Sequence, residues 1–550
     1  MGEPDKEHEE LKQMDAGHME ALELQRSSAS IRAGRRRSIQ DDSIRKTNSR
    51  SSTRSKLSKA VSRLTNRSKK AQIEPVIFPV SDLDSGIVGW DSQDDPQNPQ
   101  NFPDSRKWLL LGLIAAITFI SPLASSMFAP AVTFMDATFH NTSSILSSLT
   151  VSIFVLGYCC GPLLLSGLSE IYGRRYVLFA ANLFFCVWQI GCALSPSINS
   201  LIAFRFLAGI GGSGCMTIGG GVIADLFPIE KRGLASSLYS LGPLLGPVVG
   251  PVTGGFTGER IGWRWVFWLL LIAGSSVTIA IECLTTETNA HVIIHRKTKR
   301  LQKELNRPEL RSAYDFEEHP QSASYVLLQG LVRPLKMLFF SPIVGLLCIY
   351  MALVYGLMYL LYTTISTVFI ESYGFSPEIS GLVYISLGLG YLGGLGTVAK
   401  ISDPTVLRMT KANNGVFEPE MRLPACIFFA CIVPTTFFWY GWTSYYKTHW
   451  IVPTIGLFPF GFGVMGIWIP IQTYLIDCFP TFAASGLAAL TVSRSLFGAF
   501  LPLAGPSMYD SMGLGWGNSV LGFVSIALIP APLLVFKFGG KIRKEHPLKL

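Results

Sequence analysis

Charge is scarce in this sequence. Only 15% of its 550 residues are Asp, Glu, Lys or Arg, against about 25% in ordinary globular proteins. Together with 49% hydrophobic residues, that shortage excludes a string of soluble domains, because a soluble core explains one or two apolar runs of bilayer length and not a dozen. Paired cysteine spacing is also missing. The 10 cysteines include adjacent Cys159 and Cys160 inside an apolar run, with Cys283, Cys348, Cys426, Cys431 and Cys478 in or beside others. They read as small apolar packing residues rather than disulfides or metal ligands. No HExxH, GxSxG or clustered His/Cys pattern supports catalysis or a metal site, and no Gly-rich P-loop supports direct use of ATP. No cofactor is expected. The opening MGEPDKEHEELKQMD is polar, so no cleavable signal peptide is expected and the first span takes on targeting.

What is present is a series of apolar runs. About 20 apolar residues cross roughly 30 Å of hydrocarbon. On that measure spans are predicted near 108–129, 146–166, 177–194, 201–224, 235–256 and 264–283, then 343–369, 380–399, 424–442, 452–475, 486–508 and 518–536. The fold class is therefore an all-α membrane protein of twelve transmembrane helices in two six-helix halves. The divisions are a largely disordered tail over 1–106, a first half over 107–284, a central loop over 285–341, a second half over 342–537 and a short tail over 538–550. Ser27 to Lys70 mixes Ser with Lys and Arg and buries too little to order itself. Arg35, Arg36 and Arg37 before Ser38 would suit a basophilic kinase or anionic headgroups, or simply help to fix topology.

Placement of Lys and Arg sets the orientation. Even-numbered connections carry Arg174, Arg175, Lys231, Arg232, the run HRKTKRLQK, Lys400, Arg408, Lys411 and Arg422, whereas the others carry Arg260, Arg264 and Lys447. Both termini are thus expected in the cytoplasm. The net charge of +9 is accounted for by this asymmetry, so no nucleic-acid partner is implied. Asn141-Thr142-Ser143 is a glycosylation sequon in the first outer connection.

Several motifs coincide in order. GPLLLSGLSEIYGRRYVL (161–178) joins spans 2 and 3, RFLAGIGGSG (205–214) lies in span 4, and LGPLLGPVVGPVTGG (241–255) lies in span 5. The first resembles the loop 2–3 signature of the major facilitator superfamily, with Glu170 at the acidic position, Gly173 at the second glycine, and Arg174 and Arg175 as the basic pair. Ser166 and Ile171 depart from it, but the Leu-Ser-Glu-x-Tyr-Gly-Arg-Arg form is familiar in fungal twelve-span drug:proton antiporters. The span 5 run resembles that group's antiporter motif at Gly246, Gly250, Pro251, Gly254 and Gly255. The segments 87–108 and 474–523 resemble the same exporters, so the likeness runs from about residue 87 to the end.

The resemblance implies proton coupling through Arg205, a cytoplasmic gate at Glu170, Gly173, Arg174 and Arg175, and export marked by the span 5 motif. Asp225, which ends span 4, either joins Glu170, Arg174 and Arg175 in a cytoplasmic charge cluster that gates access or is an ordinary solvated charge. From the residues alone, Arg205 either faces an interior cavity or snorkels from a helix end. The span 5 glycines, four apart on one face, permit close packing whatever the direction of transport. Asp477 and Arg494 are candidate second-half counterparts, since such folds are built from related repeats. No carboxylate lies deep in a span, so the proton carrier is unassigned.

Aromatic and Met side chains line the spans, namely Tyr350, Tyr355, Met358, Tyr359 and Tyr362 in span 7, with Trp439, Tyr440, Trp468 and Tyr474 later. An apolar cavity built from some of them would suit aromatic or amphipathic organic molecules, while a strongly anionic or sugar-like cargo would want more polar or cationic groups within the spans. The expected protein is a monomeric plasma-membrane exporter of drugs, toxins or secondary metabolites in exchange for protons, with the bilayer as its other partner. A polyamine exporter and a proton symporter importing a nutrient remain alternatives, with a sensor or membrane enzyme behind them.

Overall fold

The computed structural model describes residues 78–314, 323–479 and 482–545. Arg35, Arg36, Arg37 and Ser38 lie outside the described residues. Nearly everything described is helical, as it must be where no water can satisfy a backbone N–H or C=O.

By length and hydropathy, ten candidate spans stand out among the described residues. Spans 1 to 4 are Asp104–Phe139, Ser144–Tyr172, Arg174–Ala193 and Ile198–Leu226, and span 6 is Arg264–Leu284. Spans 7 to 10 are Pro342–Tyr373, Pro377–Ala412, Pro419–Tyr445 and Ile451–Cys478. The last run, Ala483–Arg543, has 61 residues, about 90 Å if straight and three bilayer cores long. It is two passes. Gly513, at φ 74°, breaks it into spans 11 and 12, a left-handed conformation that glycine adopts without a Cβ clash. Tyr509 Oη donates to Asn518 Oδ1 at 3.1 Å across that break. Span 5 is the helix Ile229–Arg260, long enough to cross but enriched in glycine and broken in its ladder by Pro243, Pro247 and Pro251. Twelve passes result.

Side chains set several ends. Ser143 Oγ accepts from Leu146 N at the start of span 2, Ser197 and Ser200 cap one another's backbone at span 4, and Ser341 Oγ accepts from Val344 N at span 7. All ten cysteines are free. Each half has its own apolar core. One gathers residues between Phe102 and Ile281, the other residues between Met337 and Val535, and Val155, Leu244 and Val248 of the first half join the second core.

Two stretches expected as polar connections are built differently. Residues 78–103, assigned to the tail, are folded. Strand β1 (Ile87–Val88) pairs in parallel with β2 (Arg311–Ser312), in register Ile87 to Arg311. Val88, Trp90 and Phe102 are buried, and Trp90 Nε1 donates to Tyr314 Oη at 3.0 Å. Burial pushes the Tyr314 phenol up from its ordinary value. The central loop contributes that strand and two helices, Ala290–Glu304 and Ala323–Phe340. Lys297 on the first reaches back to Asp91 at 2.6 Å and to the Gly89 carbonyl at 2.9 Å. Three apolar anchors in an otherwise polar stretch are too few to give a periodic pattern, which is why the strap was not legible.

Candidate functional site

The turn between spans 2 and 3 reverses at Gly173, at φ 100°, where a Cβ would collide with the Glu287 carboxylate. That carboxylate accepts from Arg174 N at 2.8 Å and Arg175 N at 3.4 Å, capping span 3 from a distant part of the chain. The Arg174 side chain meets Asp225 Oδ2 at 3.4 Å and donates to Ser169 Oγ at 2.7 Å. Arg175 meets Glu282 Oε1 at 2.6 Å. Thr288 Oγ1 also donates to Asp225 Oδ2. The start of span 3 is thereby tied to the ends of spans 4 and 6. Glu170 is not part of this cluster. It is exposed, pairs with none of the described basic residues, and faces a cavity instead. Glu287, a loop residue with no motif around it, occupies the place expected for Glu170.

The second half repeats the arrangement, but not with the expected partner. Asp477 pairs with Arg422 at 3.0 Å, and Arg422 also reaches Asp403 at 3.3 Å. Arg494 is elsewhere, deep in span 11. Arg422 begins span 9 as Arg174 begins span 3, and Asp477 ends span 10 as Asp225 ends span 4. The tie to the last helix of each half is present too, with its charges exchanged. Arg175 of span 3 meets Glu282 of span 6, while Glu420 of span 9 meets Arg543 of span 12 at 3.4 Å. Superposing the halves on their two aspartates would have pointed to Arg422 from sequence.

At the opposite end the halves meet along span 5. One face of this helix lies against span 1. A Cβ at Gly246 would be 2.8 Å from Phe119 O, one at Gly250 2.9 Å from Leu123 O, and one at Gly254 would collide with Met127 O. The other face meets span 8 of the second half. A Cβ at Gly255 would sit 2.6 Å from Pro377 O, and one at Gly381 would collide with Pro251 O. Backbone therefore touches backbone on both faces, which only small residues permit. Beyond this seam, Arg260 meets Glu378 at 2.9 Å, and Glu378 N donates to Glu259.

Arg205 is fully enclosed rather than at a helix end. Its Nη2 lies 3.4 Å from the carbonyls of Ala124, Ser125 and Val151. Its guanidinium is 5.1, 5.4 and 5.7 Å from the rings of Phe128, Phe154 and Phe267. The regular helix of span 1 stops at Ser126, before the short turn Ala129–Ala131 around Pro130. Two of the three carbonyls are thus orphans at a helix C-terminus inside the membrane, the negative end of its dipole.

Between the halves, Tyr158, Tyr355, Met358, Tyr359, Tyr362 and Trp468 surround a small central cavity of about 30 Å³. Ser125 Oγ and Tyr359 Oη, 2.9 Å apart, join the halves there, and Tyr362 and Tyr391 share a hydrogen bond of 2.7 Å. Of the other aromatics flagged in sequence, Tyr350, Tyr440 and Tyr474 are buried between helices and Trp439 is half exposed. Arg494 lies over Trp468 at 4.3 Å and Tyr355 at 5.1 Å. A larger cavity, about 900 Å³, lies at the end bearing the charge clusters, bounded by Glu170, Arg174, Asp225, His291, Arg333 and Ser485. Asn141, the sequon residue, donates through Nδ2 to Asp136 Oδ1 at 2.6 Å, Ser147 Oγ at 2.9 Å and Ser143 O at 3.1 Å. Its amide ties spans 1 and 2 together.

Residues 114–502 match the family model described as Major Facilitator Superfamily. The chain is 48% identical over 460 residues to the MFS-type transporter penM of Penicillium rubens, covering 84% of this chain and 90% of that protein. It is 45% identical over 465 residues to the efflux pump radE of Floropilus chiversii, covering 84% and 86%. Among solved structures, the partially occluded inward-open xylose transporter XylE of E. coli aligns with a TM-score of 0.57 at 17% identity, over 79% of this chain and 98% of that one. That likeness concerns the fold alone.

Proposed function

This chain belongs to the major facilitator superfamily, and on that premise we propose that it exports a small organic molecule in exchange for protons by alternating access. It is a multi-pass membrane transporter. The observation that carries the mechanism is the contrast between its ends. Backbone meets backbone along span 5 at one end, while a cavity of about 900 Å³ stands at the other. Transport would open the first and close the second.

Direction is read from the antiporter motif on Gly246, Gly250, Pro251, Gly254 and Gly255, and from the relative named an efflux pump. The charge clusters act as the cytoplasmic gate. Arg174–Asp225 and Arg175–Glu282 lock the first half, and Arg422–Asp477 and Arg543–Glu420 the second. Gly173 supplies the turn that presents Arg174 and Arg175. Glu170, facing the cavity, guards its mouth. Arg205 acts on coupling by position, because it fixes the break in span 1 where Ser125 bridges to Tyr359. The plasma membrane, cytoplasmic termini and a monomer complete the reading.

The polyamine alternative is disfavoured by the central cavity, whose described lining contains no Asp or Glu, whereas a polycation needs carboxylates. The test is transport in proteoliposomes of known sidedness under an imposed proton gradient, with a chemical panel as cargo. Export predicts movement against the direction of proton flow. Concentrative movement with the protons would show a symporter instead, and no proton-dependent flux across a broad panel would refute the assignment.

A further inference from the structure

The two arginines buried within the membrane are held in unlike ways. Arg205 is enclosed by three carbonyls and three ring faces, and its position at the break in span 1 explains why it is there. Arg494 has no such explanation. It is 95% buried, its Nε and Nη1 have no hydrogen-bond partner, and among the described residues it forms no ion pair. Its contacts are two ring faces, Trp468 and Tyr355, which attract the cation through their π clouds but accept none of its N–H groups in a directed bond.

Where those N–H groups lie is set by span 11. Gly498, one turn on from Arg494 and on the same helix face, lies against Tyr355 of span 7 and Val155 of span 2. That face therefore looks into the interface between the halves. Among the described residues no carboxylate pairs with Arg494, and Tyr355, stacked on it, belongs with Tyr359 and Tyr158 to one group of phenols. All three phenols line the central cavity, as does Trp468. A guanidinium kept without a counter-charge in a membrane interior costs several kcal/mol. It is retained when something else supplies the anion.

We propose that Arg494 is the anchor for an anionic group on the cargo, so that this transporter carries aromatic or amphipathic organic acids. Arg494 stands behind Tyr355 and Trp468, which line a cavity of only about 30 Å³ in this state. As the halves part and the cavity enlarges, the fork of the guanidinium receives a carboxylate, sulfonate or enolate oxygen pair, and the surrounding tyrosines, Met358 and Trp468 receive the apolar body. The tyrosine hydroxyls add donors that a neutral ester cannot exploit as fully. This narrows the expectation of an aromatic or amphipathic cargo to one that carries an acid group, because a cation deep in span 11 joins the groups within the spans. The proposal rests on reading the central cavity as the cargo site, and export itself only sets the direction in which the acid leaves.

The test uses the full chain in nanodiscs and proteoliposomes with three acids, 2-naphthoate, indole-3-acetate and 1-pyrenebutyrate, each beside its methyl ester. Binding is followed by quenching of tryptophan fluorescence, since Trp468 lies directly under the guanidinium, and flux by release from loaded vesicles. The expected result is that acids bind at least tenfold more tightly than their esters. In Arg494→Gln that ratio falls to near one, and Arg494→Lys restores part of it. A merely structural arginine would change stability without changing the ratio, so thermal unfolding is measured on each variant. Arg494→Gln is expected to unfold no earlier than wild type, because it removes an uncompensated charge. Should it fail to fold, the wild-type ratio and the Arg494→Lys ratio still decide. Equal binding of acids and esters, tighter binding of esters, or no binding of any acid overturns the proposal. Proton-driven export of esters with no preference for acids would sink the anchor while leaving export standing. Binding of acids without proton-driven flux would do the reverse.

Discussion

A single methyl group at Gly255 should shift the balance between the two access states, whereas the same group at Gly246 should not. Both glycines lie on span 5, but they face different neighbours. A Cβ at Gly255 would stand 2.6 Å from Pro377 O, in the other half. Ordinary contact begins near 3.4 Å, so spans 5 and 8 must part by about 0.8 Å. A Cβ at Gly246 would stand 2.8 Å from Phe119 O in its own half, forcing a similar displacement between spans 1 and 5. Overpacking of this size costs about 1–3 kcal/mol. In Gly255→Ala the strain is present only while that end is closed, so it moves the closed–open equilibrium by about five- to 150-fold. In Gly246→Ala it is present in both states and lowers stability instead. Spin labels at Ile261 and Ile379, exposed residues at that end on opposite halves, report the separation. Gly255→Ala should enlarge the long-distance population, and Gly246→Ala should leave the distribution unchanged while lowering Tm. An unshifted distribution in Gly255→Ala would refute the claim that this seam holds the end closed.

Further substitutions probe the remaining contacts. Gly250→Leu should abolish transport, since even a Cβ there is 2.9 Å from Leu123 O; full activity would show that span 1 and span 5 can separate freely. Arg205→Ala should stop proton-dependent flux while the protein still reaches the membrane, and retained coupling would remove Arg205 from the account. Glu287→Ala should lower stability by about 1 kcal/mol, the value of a helix cap, while Glu170→Gln should leave Tm unchanged; the reverse ranking would restore Glu170 to the cluster. Asn141→Gln should leave electrophoretic mobility unchanged, because the amide that would carry a glycan already makes three hydrogen bonds. A mobility shift would show that those bonds yield to modification.

Much of this molecule is readable without coordinates because the bilayer is a strict solvent. It demands apolar runs of fixed length with every backbone group satisfied, so the passes announce themselves by apolar length, span 5 among them at 235–256 although its glycines and prolines dilute its hydropathy. The motif residues Arg174, Arg175 and Asp225 could be placed at one end for the same reason, since their charge keeps them out of hydrocarbon, and Gly173 with them as their neighbour in the turn. Long-range pairing was beyond reach. Glu287 caps span 3 from 113 positions away, Arg422 rather than Arg494 meets Asp477, and the strap over 78–103 is tied to the central loop by the β1–β2 pair, the Trp90–Tyr314 bond and Lys297. No local pattern records such contacts, because they depend on which helices the packing brings together. The two intramembrane arginines show the division most clearly. Sequence alone marks Arg205 as a cation in an apolar helix and sets its cost, whereas Arg494 reads there as a loop-flanking partner of Asp477. Only the packing decides that one meets carbonyls at a broken helix while the other, deep in span 11, meets none.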